Sequence, residues 1–388
     1  MEIIELKQSI KQNNIMTLVL HRTIHPVGQG AFYSEVFEDD GNVKFTMVYD
    51  CGTETPVNKM DLSLKEQIID FSEHIGKEKS IDLLFISHFH KDHISGLNYL
   101  TQKCKVKKTI IPMLTDELIL LTRVRNLCNY GKEALAADMV IRELYFGVEG
   151  DNGRFGDVLG VSSFDDERSR AYDIEKYNDK VYPKQKTTLN CGEIIAQKDV
   201  FWMYRPFNSI SPFCQKAIDL KQRLLIEFPS FIYPNGDFDA TIIVEEYLDV
   251  LNKAYKEVMR GANDNIYTLV VESSPVKGIM SEERMKDYRG LYYGDFDYLK
   301  SGKCPTMVSP AIYSEIGFIQ VPHHGSKRNW HTDFLRGAPR QYVISAGTTN
   351  GYHHPSYWVV KEIKDNGNMI NVVSEKATTK LELEFVVR

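Results

Sequence analysis

No Cys-x-x-Cys pair occurs in the sequence, and its six cysteines (Cys51, Cys104, Cys128, Cys191, Cys214 and Cys304) are scattered over 388 residues. Such spacing excludes a thiolate zinc knuckle and offers no disulfide framework, so the chain reads as reduced and cytoplasmic. Also missing is any apolar run near the ~18 residues of a membrane helix, and no membrane association is expected. The first fifteen residues carry Glu2, Glu5, Lys7 and Lys11 and no apolar block, which does not resemble a secretory leader. Positive charge is in short supply: the formal net charge is −6. A nucleic-acid partner would therefore have to meet a local basic patch, not a broadly basic face. What is present is a globular composition with 43% apolar residues, enough chain for one large domain or two ordinary ones.

The first part of the chain has strand texture. Thr17–Arg22, Ala31–Phe37 and Lys44–Tyr49 are rich in β-branched and aromatic residues, and Ile81–Ser87 is a short apolar run that ends in a polar loop. Asp61–Phe71 predicts a helix before that run. From Thr115 the period changes: Leu118, Leu121, Val124 and Cys128 fall at helical spacing, and helical character continues through Lys132–Leu144. Residues 147–186 are charged and weakly apolar, the composition of an exposed loop or lid. Strands resume at Val200–Tyr204. A second interruption runs from Asn208 to about Ala262, with Leu248, Leu251, Tyr255 and Val258 on one helical face. Strand texture then returns at Ile266–Glu272 and persists, with helices between, to the end. The layout predicts one β-rich sandwich domain over residues 1–388 with helical insertions at about 112–186 and 208–262.

His88-Phe89-His90-Lys91-Asp92-His93 follows directly on the Ile81–Ser87 strand. Three imidazoles and a carboxylate on one loop can converge on a small volume, and these donors suit zinc, manganese or iron. His88 and His90 alternate and turn the same way, while Asp92 and His93 reach round to a second position. Gly96 permits the turn into a helix from Leu97.

This motif is similar to the signature of the metallo-β-lactamase superfamily. More narrowly, the chain resembles the hydrolase domain of DNA-uptake competence proteins of the ComEC type and its soluble relatives. The likeness is collinear through Val27-Gly28-Gln29-Gly30, Val48-Tyr49-Asp50-Cys51-Gly52, Asp82-Leu83-Leu84, Asn263-Asp264-Asn265 with the Thr268–Val271 strand, and Tyr293-Gly294-Asp295. It continues through Val321-Pro322-His323-His324-Gly325-Ser326, Val343-Ile344-Ser345-Ala346-Gly347 and Tyr352-His353-His354-Pro355. It covers about residues 25–385 outside both insertions. The implied fold is an α/β metallo-β-lactamase αββα sandwich carrying the two insertions.

The resemblance implies a metal ligand set of His88, His90, Asp92, His93, Asp295 and His323, holding one or two Zn²⁺ or Mn²⁺ ions. Asp295 would bridge two cations, or else be a turn aspartate. Of His323 and His324, adjacent residues on an extended segment point oppositely, so one is expected to bind metal; His323 is favoured, with His324 left to a supporting or substrate role. Asp50 would orient a ligand histidine. His354, beside Pro355, would contact substrate or act as a general acid, and Asp92 is assigned to catalysis as well as to the metal. Between His93 and His323 there is no histidine at all. Most lactamase-fold enzymes supply one there, so the His88/His90 position is expected to be one protein ligand short.

Bound cations of this kind bring the pKa of water to roughly 7, chemistry that hydrolyses phosphodiesters, esters, lactones or thioesters alike. The surroundings favour phosphate. Between Lys300 and Arg340 the chain carries Lys300, Lys303, Lys327, Arg328, Arg336 and Arg340 against Glu315 and Asp333. Lys327, Arg328 and the backbone at Gly325 and Ser326 would bind phosphate oxygens, Lys327 as a catalytic group; the bland alternative is a solvated charge run. Trp330, Tyr352 and Tyr357 would stack bases or serve as core. The expected activity is that of a phosphodiesterase, a nuclease or nucleotide hydrolase acting through metal-activated water. A small-ester hydrolase is the second reading. A third is a metal-bound partner subunit with little turnover, docking other proteins through its insertions.

Overall fold

The computed structural model describes residues 18–147, 153–163, 187–210, 214–260, 267–297, 314–337 and 340–387. Two sheets stack face to face. The first has eight strands, β1 (Leu18–Ile24), β2 (Gly30–Asp39), β3 (Asn42–Thr53), β4 (Ser80–Phe85), β5 (Lys105–Pro112), β6 (Asp157–Val161), β7 (Thr187–Leu189) and β15 (Leu381–Val387), in the order β15-β1-β2-β3-β4-β5-β6-β7. The second has seven: β8 (Ile195–Gln197), β9 (Trp202–Ile210), β10 (Tyr267–Pro275), β11 (Gly290–Tyr292), β12 (Phe318–Gln320), β13 (Gln341–Ser345) and β14 (Met369–Val373), in the order β14-β13-β12-β11-β10-β9-β8. Strands β3 through β7 pair in parallel, as do β11 through β14. Parallel strands require crossovers, and helices on the outer faces supply several of them.

The inner faces bury large aromatic side chains, among them Tyr33, Phe37, Tyr49, Phe85, Trp202, Tyr204, Tyr292 and Phe318. Glu35 is fully buried in this layer and accepts hydrogen bonds from Arg22, Tyr204, Tyr292 and Ser273. A buried carboxylate is tolerated when it is paired and its lone pairs are filled. Outside the first sheet lie α1 (Leu64–His74), opened by a Ser63/Glu66 capping box, the short turn α2 (Lys91–Ile94), and α3 (Leu97–Lys103). Outside the second sheet lie α8 (Glu282–Tyr288) and α9 (Tyr357–Asp365), the latter packing Val359 and Ile363 on Ile344 and its neighbours.

The helical stretches foreseen after Pro112 and after Asn208 are α4 (Asp116–Tyr130), α5 (Leu135–Phe146), α6 (Cys214–Glu227) and α7 (Leu248–Met259). They pack on one another, and their apolar faces join the core outside the first sheet through residues such as Leu121, Leu127, Leu220, Leu224 and Leu251. Arg123 of α4 is locked by Asp138 of α5, by Asp237 and by the Phe238 carbonyl, which ties the two stretches together.

The reading of 147–186 as an exposed loop fails at β6, whose Gly160 and Val161 are buried beside β5. Five residues with a glycine next to the last give too weak a periodicity to signal a strand. The remainder of that stretch, residues 164–186, lies outside the described residues, as do Asn263–Asn265, Lys300 and Lys303. Among the described residues, no helix is long and apolar enough to cross a membrane.

Candidate metal centre

The centre forms at the carboxyl ends of the parallel strands, where chain leaving a sheet can converge without backbone obstruction. After β4 the chain passes Ile86, whose N–H donates to the Ile110 carbonyl at 3.0 Å, and reaches Ser87, whose N–H donates to Asp50 at 2.7 Å. Asp50, inside β3, takes a left-handed conformation (φ 57°). Two residues later Gly52 slides beneath the α2 turn: a Cβ there would lie 2.6 Å from the Asp92 and His93 carbonyl carbons. Only glycine permits that approach.

Asp50 and Ser87 set the ring orientations. His93 Nδ1 hydrogen-bonds Asp50 Oδ2 at 2.7 Å, and His88 Nδ1 meets Ser87 Oγ at 2.9 Å, itself donating to Asp50 at 2.6 Å. With both Nδ1 atoms engaged, the Nε2 atoms of His88 and His93 point inward, fully buried and without a hydrogen-bond partner. Buried polar atoms normally find partners, so two inward-facing orphans fit ligand atoms for a cation. They lie 3.4 and 3.2 Å from the two carboxylate oxygens of Asp295.

Asp295 is delivered from the opposite sheet. Its loop is pinned by Gln320, whose Oε1 accepts from the N–H groups of Tyr293 and Gly294 at 2.6 and 2.8 Å. Gly294 has φ +55° and no room for a Cβ, which would sit 2.6 Å from Thr268 Oγ1 and 2.8 Å from Ser87 Cβ. The result is two triads of potential ligands: His88, His90 and Asp295, and Asp92, His93 and His324, the donor atoms of each lying within 4.8 Å of one another. Asp295 Oδ2 faces His88 and His90, at 3.4 and 3.9 Å, while Oδ1 faces His93 and His324, at 3.2 and 3.8 Å. One carboxylate thus stands between both triads.

Where His323 was expected as the ligand and His324 in support, the geometry groups His324 with Asp92 and His93. His324 is buried; its Nδ1 is held by the Ser345 carbonyl at 2.8 Å, and its Nε2 lies 3.0 Å from Asp92 Oδ2. His323 sits at the edge, its Nδ1 3.7 Å from Asp295 Oδ2 and its side chain 24% exposed. The reasoning assumed an extended segment, whereas both residues adopt left-handed backbone, at φ 48° and 53°. Alternation does not apply to such a turn.

Charge is finely divided. Burial disfavours the charged form of His93, but Asp92, Asp50 and Asp295 together raise its pKa well above the usual histidine value. His324 follows the same pattern through its hydrogen bond to Asp92. Burial would raise Asp92 and Asp295, yet the surrounding histidines hold both below the ordinary carboxylate range. His88 and His90 are pushed down, chiefly by burial. His354 falls to about 3, through burial and then the neighbouring His324 and His323.

His354 stands at the mouth, its ring 5.5 Å from that of His323 and 6.3 Å from that of His324, with a buried Nδ1 that has no hydrogen-bond partner. Tyr352 stacks on it at 5.7 Å and reaches Glu54. Tyr130, from the end of α4, also donates to Glu54. Ser87, Glu54 and Tyr130 escaped the sequence reading. Ser87 was signalled by its place between strand and motif. The contributions of α4 carried no signal, because helical periodicity reports only the packed face.

The basic patch does not assemble as expected. Lys327 is exposed and extends over the Trp358 ring at 5.5 Å. Arg328 is exposed, Arg336 pairs with Asp333 at 2.6 Å, and Arg340 is buried. The Ser326 N–H is spent on the His323 carbonyl at 2.9 Å and cannot cradle a phosphate. Trp330 is core, stacked on Phe334, whereas Tyr352 and Tyr357 are exposed.

Comparison with known proteins gives one partial family match and several distant structural likenesses. Residues 37–125 match the family model of the metallo-beta-lactamase superfamily, a span that holds the whole His88–His93 turn but neither Asp295 nor His324. The match is confined to that span, and the two-sheet α/β sandwich is the fold that goes with it. Similar solved structures include the metallo-beta-lactamase fold protein YhfI from Bacillus subtilis, with 9% identity and TM-score 0.40 over 95% of this chain and 100% of that one. Unliganded yeast PDE1 gives 10% identity and TM-score 0.40 over 96% and 100%. Zn²⁺-bound PqqB from Methylobacterium extorquens gives 9% and 0.40 over 94% and 99%. No curated protein matches the sequence.

Proposed function

We propose that the protein is a metal-dependent hydrolase that cleaves phosphodiester bonds in nucleic acid or nucleotide substrates. The observation that carries this reading is Asp295, which turns one oxygen toward each of two triads of potential ligands. Such a donor set suits a pair of divalent cations, zinc or manganese, held by His88, His90 and Asp295 on one side and by Asp92, His93, His324 and Asp295 on the other. When bound, such ions acidify water and offset charge on the substrate's oxygens, which suits displacement at phosphorus. The chain's own groups do the positioning. Asp50 and Ser87 fix the His93 and His88 rings, and the Ser345 carbonyl fixes His324. His354 presents a buried, unpartnered Nδ1 at the mouth, placed to hydrogen-bond a substrate oxygen. Tyr130 at the end of α4 reaches Glu54 beside Tyr352 and narrows the opening. The narrower likeness to competence-type hydrolase domains points to the same substrates.

The test is turnover of bis(p-nitrophenyl) phosphate by zinc- or manganese-loaded protein, beside p-nitrophenyl acetate and a lactone. Single-stranded DNA, duplex DNA, RNA and cyclic dinucleotides follow. Diester turnover that disappears in Asp295→Ala is expected. Robust ester turnover without diester turnover would replace this reading with a small-ester hydrolase. Full metal content with no turnover of any substrate would leave a metal-bound partner subunit.

A further inference from the structure

We propose that Trp358, braced by Tyr357 and joined by Lys327, forms a platform beside the metal centre that holds a single strand of nucleic acid. A base stacks on the Trp358 ring, and Lys327 meets a backbone phosphate. The proposal rests on the phosphodiesterase reading and names its substrate as unpaired strand.

Four large aromatic side chains are exposed among the described residues, and three of them, Tyr352, Tyr357 and Trp358, lie between positions 352 and 358. The other two tryptophans, Trp202 and Trp330, are buried. Helix α9 turns Val359 and Ile363 into the core, and the helical period leaves Trp358 and Lys361 on its outer side. Trp358 is 59% exposed and Tyr357 is 68% exposed, their ring centroids 5.6 Å apart and their planes at 72°. Contiguous aromatic surface left in water marks a binding face.

This face is anchored to the metal turn. The Ser356 N–H donates to the Gly325 carbonyl at 3.0 Å, and Gly325 directly follows His324. A Cβ on Gly325 would lie 2.8 Å from Pro355 Cβ, so the two segments are in close contact. On the near side of Pro355, Tyr352 stacks on His354, whose ring lies 5.5 Å from that of His323. Exposed rings thus flank, in sequence, the short segment that meets the metal turn.

A groove of about 530 Å³ separates α9 from the loop after that turn, with Lys327, Trp330, His331, Trp358, Lys361 and Glu362 in its walls. Lys327 Nζ stands over the Trp358 ring, 5.5 Å from its centroid. The carboxylates here are engaged: Glu362 accepts from Trp330 Nε1 at 2.6 Å, and Asp365 pairs with Lys361. Lys327 and the exposed Arg328 supply positive charge for an anionic partner. A flat ring beside a cation matches a base beside its phosphate, the pattern a single strand presents. A duplex hides its base faces by pairing and stacking, so only its phosphates can use this surface.

Fluorescence anisotropy of a labelled oligothymidine of about ten nucleotides measures the binding. Full-length protein is used, loaded with metal and also stripped by chelator, which keeps the strand intact. An abasic strand of the same length and the oligothymidine–oligoadenosine duplex are compared. Wild type should prefer the thymidine strand to both. Trp358→Ala should weaken that binding about tenfold, the order expected for one stacked base, with little change for the abasic strand. Trp358→Phe should recover part of the loss. Lys327→Ala should weaken both strands and lower the salt slope by about 0.7, the share of one phosphate contact. Tyr233→Ala, which removes another exposed ring far along the chain, should bind as wild type does. Should Trp358→Ala fail to fold, Trp358→Gln takes its place. Equal affinity of wild type for thymidine and abasic strands, tighter binding of the duplex, or wild-type affinity in a folded Trp358→Ala or Trp358→Gln overturns the platform alone, since turnover of bis(p-nitrophenyl) phosphate tests the hydrolase separately. A strand held through Trp358 by metal-loaded protein that cleaves no diester upholds the platform and overturns the phosphodiesterase reading alone.

Discussion

His324 Nε2 lies 3.0 Å from Asp92 Oδ2, although 232 residues separate them in sequence. The contact joins the loop after β12 to the turn after β4 and completes the second triad. Its neighbour His323 lies at the rim. Replacing His324 with Ala should therefore cost about half of the bound metal, whereas His323→Ala should keep metal content and alter turnover only. Elemental analysis of both variants distinguishes them. Equal metal loss from the two, or loss only from His323→Ala, would reverse the assignment.

Asp50 binds no substrate in this arrangement, yet it accepts hydrogen bonds from the Ser87 backbone, the Ser87 hydroxyl and His93 Nδ1. Partners behind a metal ligand commonly account for 10–100-fold in affinity. Asp50→Asn keeps the shape but removes the charge that fixes the His93 ring. Its zinc affinity should fall by roughly that factor, read by competition with a chromogenic chelator. Wild-type affinity in Asp50→Asn would show that packing alone holds the ring.

The turn from His88 to His93 was legible because six consecutive residues carry it and a buried strand precedes it. Asp295 and the His323–His324 pair were legible only through their order along the chain. Which of the two histidines turns inward was not legible, because that depends on left-handed backbone at both, which spacing does not encode. Helices α4 and α7 were visible in their apolar period, but α6 carried no separate signal, and β6 was missed because a five-residue strand with Gly160 next to its last residue has little pattern. Least legible was the rim. Glu54, Tyr130 and Tyr352 meet across three separate elements, and the docking of α4 on the Phe89 carbonyl brings Tyr130 to the other two.

Protonation of the centre sets a pH dependence for the metal-free protein. The folded-state pKa values of His93 and His324 are raised above the ordinary histidine value, against burial, by Asp92, Asp50 and Asp295. A raised histidine contributes stability that is complete below its unfolded pKa of about 6.5 and is lost as pH rises through the folded value. His88 and His90 are lowered, so their contribution is complete above that same pH and does not offset the loss. In the metal-loaded protein all four must be deprotonated. The difference in melting temperature between loaded and chelator-stripped protein should therefore widen from pH 7 to pH 9. Comparing the two forms cancels the buried cysteines and tyrosines, which titrate alike in both. A constant difference over that range would contradict the charge distribution described for the centre.

Arg123 gives the sharpest test of how the helical stretches are held. Its guanidinium is completely buried, bidentate on Asp138 at 2.6 and 2.9 Å, bonded to Asp237 and the Phe238 carbonyl at 2.8 Å each, and 3.8 Å from the Phe238 ring centroid. Arg123→Ala leaves Asp138 buried without its cation, a loss of about 3–5 kcal/mol when one partner of a buried pair is removed. Asp237 suffers less, because Arg142 still holds it at 2.9 Å through two nitrogens. Lysine should rescue poorly, since it cannot reproduce the planar fork. Replacing the pair together, as Arg123→Met with Asp138→Leu, removes the stranded charge and should recover much of the loss. Denaturant unfolding measures the sum, and hydrogen exchange locates it. Faster exchange should be confined to α4, α5 and residues 231–239, while β3 and β4 stay protected and metal content is unchanged. If Arg123→Ala costs less than about 1 kcal/mol, or loosens the sheets as readily as the helices, then Arg123 does not set the position of α4.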